Sequence, residues 1–142
     1  MRAWFLVLLL LLSPALAQTL VEVTAVAAIQ SSLVSGVRFP NGSFKAGKGS
    51  EAIVARIPDA ARFSLEVYAA KGIAARLHDA FVAQIMTSFA AAGYLQDGWP
   101  QTQQVGGETR TRYNFSDESG RAALLFIVRR GDELVFVVGR AR

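Results

Sequence analysis

The chain has 142 residues, 52% of them hydrophobic, and its 15 Lys and Arg against 11 Asp and Glu give a net charge of +4. It contains one histidine and no cysteine, which excludes disulfides, thiol chemistry and zinc–cysteine sites. The positive excess is too small for a nucleic-acid signature, so we expect no nucleic-acid partner.

The N-terminus predicts a secretory signal peptide over residues 1–17. Arg2 precedes an apolar run over residues 4–12, and Ala15 and Ala17 are the small residues of a cleavage site before Gln18. The apolar run is about half the length that a membrane-spanning helix needs. We therefore expect cleavage before Gln18, no membrane anchor and a periplasmic or extracellular location. An uncleaved N-terminal anchor is the alternative.

Residues 18–142 are expected to form a single domain that begins with β-strands. One parity is largely apolar over residues 20–29, 51–57 and 62–68, and this period of two predicts three strands. The turn pair Pro58-Asp59 joins the last two segments into a predicted hairpin. A further apolar run over residues 33–39 ends in a glycine-containing loop.

The hydrophobic period then changes from two residues to about 3.6. The residues that recur at every fourth position are Ile73, Leu77, Phe81, Ile85 and Phe89. This spacing predicts a long helix over residues 73–92 that ends at Gly93, a residue suited to a left-handed C-terminal cap.

A loop is predicted over residues 94–107, and three strands follow over residues 108–115, 121–130 and 133–140. The turn Gly131-Asp132 predicts a two-residue hairpin loop. That loop places Arg130 opposite Glu133, Val128 opposite Val135 and Ile127 opposite Phe136. The predicted fold class is α+β: a mostly antiparallel sheet of about five to seven strands, packed by one long helix and ending in a meander over residues 108–140.

The strand at 121–130 is apolar at both parities, which indicates a central strand covered on both faces. One predicted helix covers only one face of a sheet. The second face is covered by the N-terminal strands or by the loop that carries Tyr94, Leu95 and Trp99; otherwise it is exposed to a partner or an apolar ligand.

His78 is the only histidine, so a Ser-His-Asp arrangement or a histidine metal site would depend on it. It falls within the apolar arc of the predicted helix, which favours a partly buried ring with a local hydrogen-bond partner. We expect no cofactor, no metal site and no identifiable catalytic residue. The competing hypothesis is a small periplasmic hydrolase or isomerase that uses His78 with Asp79 or a loop serine.

Five arginines form the candidate anion-binding or partner-binding site. They are Arg110, Arg112, Arg121, Arg129 and Arg130, on two neighbouring predicted strands or at their ends. A planar guanidinium can hold a carboxylate, phosphate or sulfate through two hydrogen bonds. Replacing Arg110 and Arg112 with alanine is then expected to weaken binding to anionic envelope material without lowering the melting temperature. The alternative is a solvated face balanced by Glu108 and Glu133.

The order of elements over residues 73–138 resembles the PsbP/Mog1/DcrB-like group. The resemblance rests on the helix that ends in Gly93-Tyr94, on Tyr113-Asn114-Phe115, and on the strand pair around Gly131-Asp132. It implies an antiparallel meander packed by helices and a non-enzymatic accessory role, and it transfers no functional residue. The leading hypothesis is a secreted or periplasmic, non-catalytic binding or accessory protein whose partner is an envelope protein or anionic envelope material.

Overall fold

The computed structural model describes residues 19–142. The predicted signal peptide, with its cleavage site before Gln18, lies outside the described residues. The strands are β1 (Val23–Ala27), β2 (Phe44–Ala46), β3 (Phe63–Ala70), β4 (Leu95–Gln96), β5 (Gln101–Val105), β6 (Glu108–Ser116), β7 (Ala122–Arg130) and β8 (Glu133–Ala141). The helices are α1 (Ser50–Val54) and α2 (His78–Ala91), with short 3-10 turns at Ala60–Arg62 and Ala75–Leu77.

The eight strands form one antiparallel sheet in the order β1-β2-β3-β8-β7-β6. Beyond β6, both β4 and β5 pair with it along the same edge. The chain thus places its C-terminal strand, β8, in the middle of the sheet between β3 and β7. The fold class predicted from the sequence, α+β with a mostly antiparallel sheet and a C-terminal meander, is confirmed.

One face of the sheet packs against α2. Phe89 of this helix stacks on Phe115 of β6 with ring centroids 4.3 Å apart. The buried residues Val34, Val37 and Phe39, from the segment between β1 and β2, complete this first core. The helix prediction is confirmed, because the 3-10 turn and α2 together cover residues 75–91 and Gly93 follows with a positive φ of 92°.

The opposite face is covered by the N-terminal half of the chain. Leu20, Val21 and Ile53 are buried there against β7 and β8, in a second core. Of the three loop residues proposed for this role, Leu95 and Trp99 are exposed, at 76% and 91%, and Tyr94 packs against the first core instead. Because β7 and β8 are buried on both faces, they read as continuous apolar runs in the sequence.

In the N-terminal half, the predicted strand over residues 51–57 and its hairpin are wrong, and the strand predicted over residues 20–29 is too long. Residues 51–57 contain α1 and the turn after it, not a strand: the amides of Ile53 and Ala55 donate to the carbonyls of Gly49 and Glu51, four residues earlier. The predicted hairpin with residues 62–68 therefore does not form, although β3 itself does. The predicted strand over residues 20–29 is reduced to β1. The run at 33–39 is a loop that buries Val34, Val37 and Phe39 and contributes only the bridging residue Arg38 to the sheet.

The loop predicted over residues 94–107 contains β4 and β5. Gly106-Gly107 is a two-residue hairpin loop, since Val105 pairs with Glu108. All five residues of β5 are exposed, so this strand is held by backbone pairing to β6 and shows no hydrophobic alternation. These two strands bring the sheet to eight strands.

Candidate functional site

The structure divides the five candidate arginines between the two faces and an end of the sheet. Arg110 and Arg112 pair with Val128 and Phe126, which belong to the second core, so both arginines lie on the α1 face. Arg130 follows the same parity. Arg129 lies on the α2 face. Arg121 precedes β7 and donates to the Ala141 carbonyl at 3.4 Å. The structure therefore brings three of the five arginines, Arg110, Arg112 and Arg130, to one face.

Glu108 is the centre of an ion-pair network on the α1 face. Its side chain is only 3% exposed, and it accepts from Arg56 at 2.8 Å, from Arg110 at 2.7 Å and from Arg130 at 3.1 Å. Burial alone would raise the pKa of Glu108, but the hydrogen bonds from Arg56 and Arg110 outweigh it and hold the pKa below its ordinary value. These guanidiniums balance a buried carboxylate inside the molecule.

The other arginines are also engaged within the fold. Arg112 holds Asp59 with two bonds of 2.5 and 3.0 Å, and this hydrogen bonding lowers the pKa of Asp59. Arg129 bonds the exposed carboxylate of Asp79 at 2.7 Å and lowers its pKa. Of the five candidate arginines, only Arg121 lacks a carboxylate partner among residues 19–142. The positive charge predicted for an anion site is thus largely neutralised internally.

His78 is placed as the sequence predicted for a structural histidine. It is 2% exposed at the start of α2, and its Nε2 lies 2.8 Å from the Ile73 carbonyl oxygen. In the part of the chain that the structure describes, no serine or threonine hydroxyl is hydrogen-bonded to this ring. Asp79, the proposed catalytic partner, points to Arg129 instead.

A groove of about 910 Å³ lies at the edge of β3, and we call it the edge groove. Its floor is formed by residues 65–68 of β3. One wall is formed by residues 26–30 and Ser32, and the other by Ser50, Glu51 and Val54 of α1. Lys45 and Ala46 of β2 close one end.

The two walls stand on opposite faces of the sheet. Residues 28–39 cross the α2 face, where Phe39 contacts Tyr68 with ring centroids 4.6 Å apart. The helix α1 lies on the other face, where Ile53 packs in the same core as Leu65 and Val67. The edge groove is therefore a slot between two layers with the edge of a strand at its base.

A carboxylate with neutral partners lies in this slot. Glu66 accepts hydrogen bonds from Ser31 at 3.1 Å, from Ser32 and from Tyr68. Burial, and then the bond to Glu66, raise the pKa of the Tyr68 hydroxyl, which keeps the phenol protonated as a donor. No ion pair neutralises Glu66 within residues 19–142.

Reasoning from the sequence missed the edge groove. Its floor depends on the shortness of β2, and its wall depends on α1, which the alternation of residues 51–57 concealed. The sequence feature that could have indicated the groove is the glycine pair Gly47 and Gly49, which marks a turn. In the structure Gly49 has a φ of 100° and turns the chain from β2 into α1.

Comparison with protein-family models, with curated proteins and with solved structures gives no match to this chain. The resemblance to the PsbP/Mog1/DcrB-like group stays a prediction. Across residues 19–142 no helix has the length and apolar character needed to cross a membrane.

Proposed function

We propose that this chain is a secreted or periplasmic, non-catalytic binding or accessory protein of the cell envelope, and that the edge groove is its binding site. The single observation that carries this proposal is the open slot of about 910 Å³. Slots of this size with mostly apolar walls and a few polar groups are typical of binding sites.

Of the two partner classes considered, an envelope protein is favoured over anionic envelope material. Glu108, Asp59 and Asp79 already occupy four of the five candidate guanidiniums, so an anion would have to displace an internal carboxylate. In the edge groove the two carboxylates Glu51 and Glu66 face one ammonium group, Lys45, which does not favour an anionic ligand.

The hydrolase or isomerase hypothesis has no comparable support. A general base must reach the proton it abstracts, at about 3 Å or through one water. His78 is buried, and its Nε2 lies against a backbone carbonyl. The binding proposal is therefore the one that the geometry favours.

The test compares two variants in affinity capture from envelope fractions. Ala27 is exposed and lines the edge groove, so Ala27→Trp adds bulk at the site. Ala90→Trp, on an exposed position of α2 outside the groove, is the matched control. We expect wild type and Ala90→Trp to retain the same envelope protein, and Ala27→Trp to lose it. Equal retention by all three would contradict the proposal, and protein recovered from the periplasm should begin at Gln18.

A further inference from the structure

The groove-side edge of β3 is unpaired over most of its length. β2 has three residues and pairs only with Tyr68 and Ala69. On the other side β3 pairs with β8 over all eight of its residues, whereas residues 63–66 have no partner strand on the groove side within the described chain. In an antiparallel strand every second residue directs both its N–H and its C=O to the same side. The floor of the edge groove therefore presents unused donors and acceptors to solvent.

An extended segment laid beside this edge would meet two different environments. Its alternate side chains would face either the α1 side or the α2 side, because successive side chains of a strand point to opposite faces. The α1 side carries the apolar Val54, Leu65 and Val67 together with the polar Ser50 and Glu51. The α2 side is mixed: Glu66 and Ser32 lie beside the exposed Ile29, and Lys45 is on the same face because it pairs with Tyr68. The groove thus selects for alternation in its occupant.

Charge favours a basic side chain at one of these positions. Glu66 has only hydroxyl partners, and neither Glu51 nor Lys45 forms an ion pair among residues 19–142. The edge groove carries one net negative charge in a chain whose formal charge is +4. A lysine or arginine on the α2 side of an added segment would give Glu66 the counter-charge that the fold does not supply.

We propose that the edge groove binds an extended peptide segment as an added strand beside β3, with apolar side chains toward α1 and a lysine or arginine beside Glu66. Main-chain hydrogen bonds supply affinity in such strand addition, and alternate pockets supply sequence preference. This inference rests on the proposed function, since it names the class of partner that the groove would bind.

The first experiment selects ligands without assuming a sequence. A display library of random nine-residue peptides is panned on the purified protein, with Ala27→Trp for counter-selection and Ala90→Trp as the control. We expect enriched peptides in which apolar residues alternate with polar ones and include a basic residue. Glu66→Gln should weaken the selected peptides by about fivefold, whereas Glu51→Gln, at the exposed wall, should have a smaller effect.

The second experiment separates strand addition from other modes of binding. Synthetic versions of the best peptide carry N-methyl groups on amides of one parity or of the other. Because only alternate amides face the partner strand, methylation of one parity should weaken binding about tenfold or more, and methylation of the other should have little effect. Affinities are measured by fluorescence anisotropy of the labelled peptides.

The outcomes separate failure of the inference from failure of the proposed function. Equal effects of the two methylation patterns, or enriched peptides that lack alternation, would overturn strand addition. An absence of enriched peptides would also overturn it, and the proposed function would still stand if Ala27→Trp abolished capture of an envelope protein. If Ala27→Trp changes neither the binding of selected peptides nor the capture of an envelope protein, both proposals fail.

Discussion

Glu108→Gln tests whether the arginine cluster on the α1 face is part of the fold. The substitution keeps the size of the side chain and removes the charge that Arg56, Arg110 and Arg130 share. Breaking a buried ion pair by removing one partner costs about 3–5 kcal/mol. The three arginine side chains are 19%, 21% and 30% exposed, so they can recover some hydration, and we expect the low end, about 3 kcal/mol.

For a domain of this size, a loss of about 3 kcal/mol corresponds to a melting temperature about 10 °C lower. The assay is thermal unfolding followed by circular dichroism at pH 7, with Glu118→Gln as the control. Glu118 is exposed in the turn between β6 and β7, so the Glu118→Gln variant should melt within about 1 °C of wild type. A melting temperature for Glu108→Gln equal to that of the control would refute the structural role of the network.

The same network predicts a pH dependence with a defined sign. The pKa of Glu108 is lower in the folded chain than its ordinary value. Its contribution to stability is therefore present above about pH 4.3, the pKa of an unfolded glutamate, and is lost as the pH falls through the lower folded pKa. Wild type should lose stability in this acid range more steeply than Glu108→Gln. Parallel curves for the two proteins would contradict the assignment.

Two further substitutions test other contacts. Arg112→Ala removes both bonds to Asp59, and chemical denaturation should show that the free energy of unfolding falls by about 1.5 kcal/mol. The sequence alone predicted instead that replacing Arg110 and Arg112 leaves the melting temperature unchanged. An unchanged denaturation midpoint for Arg112→Ala would support that earlier expectation. Gly49→Ala places a Cβ 2.5 Å from the Leu20 carbonyl oxygen at a φ of 100°, so it should destabilise the chain by about 2 kcal/mol or more. Gly107→Ala, where a Cβ meets nothing within 4 Å, should be nearly neutral in the same denaturant titration.

The C-terminal meander was predictable because local chemistry and burial agree there. Gly131-Asp132 demands a two-residue loop, and the apolar runs on either side leave one register that buries both. The structure has Arg130 opposite Glu133, Val128 opposite Val135 and Ile127 opposite Phe136, as predicted. The long helix was predictable for a similar reason, since its period of about 3.6 persists over several turns.

The N-terminal half was less predictable because its signals conflict. Residues 51–57 satisfy both a period of two and an i, i+4 pair, and the structure begins a helix there directly after Gly49. β5 gave no hydrophobic signal, because an exposed edge strand pairs through its backbone and tolerates Gln and Thr on both faces. The one local signal for β5 is Gly106-Gly107, which is typical of a two-residue hairpin loop. The glycine- and glutamine-rich composition around it led instead to the prediction of a long loop.

The candidate site was less predictable than the fold because it depends on pairings far apart in sequence. Glu108 meets Arg56 across 52 residues, and Arg112 meets Asp59 across 53. The charge pattern along a single strand reveals the arginines, but it does not reveal the carboxylates and arginines from distant parts of the chain with which they pair. The cluster therefore looked available for an external anion, whereas the fold uses most of it internally.

The three open edges of the sheet differ in how they meet solvent, and this difference bears on the strand-addition proposal. An exposed, regular, apolar edge invites pairing with other molecules. β1 has an irregular register between Val23 and Ala27, and β5 is exposed and polar at four of its five residues, so both outer edges are poor templates. The edge of β3 is regular and apolar on the α1 side, yet it is recessed between α1 and residues 26–30. A recessed edge admits a single extended chain more readily than the edge of a folded sheet, which is the selectivity that a peptide-binding groove requires.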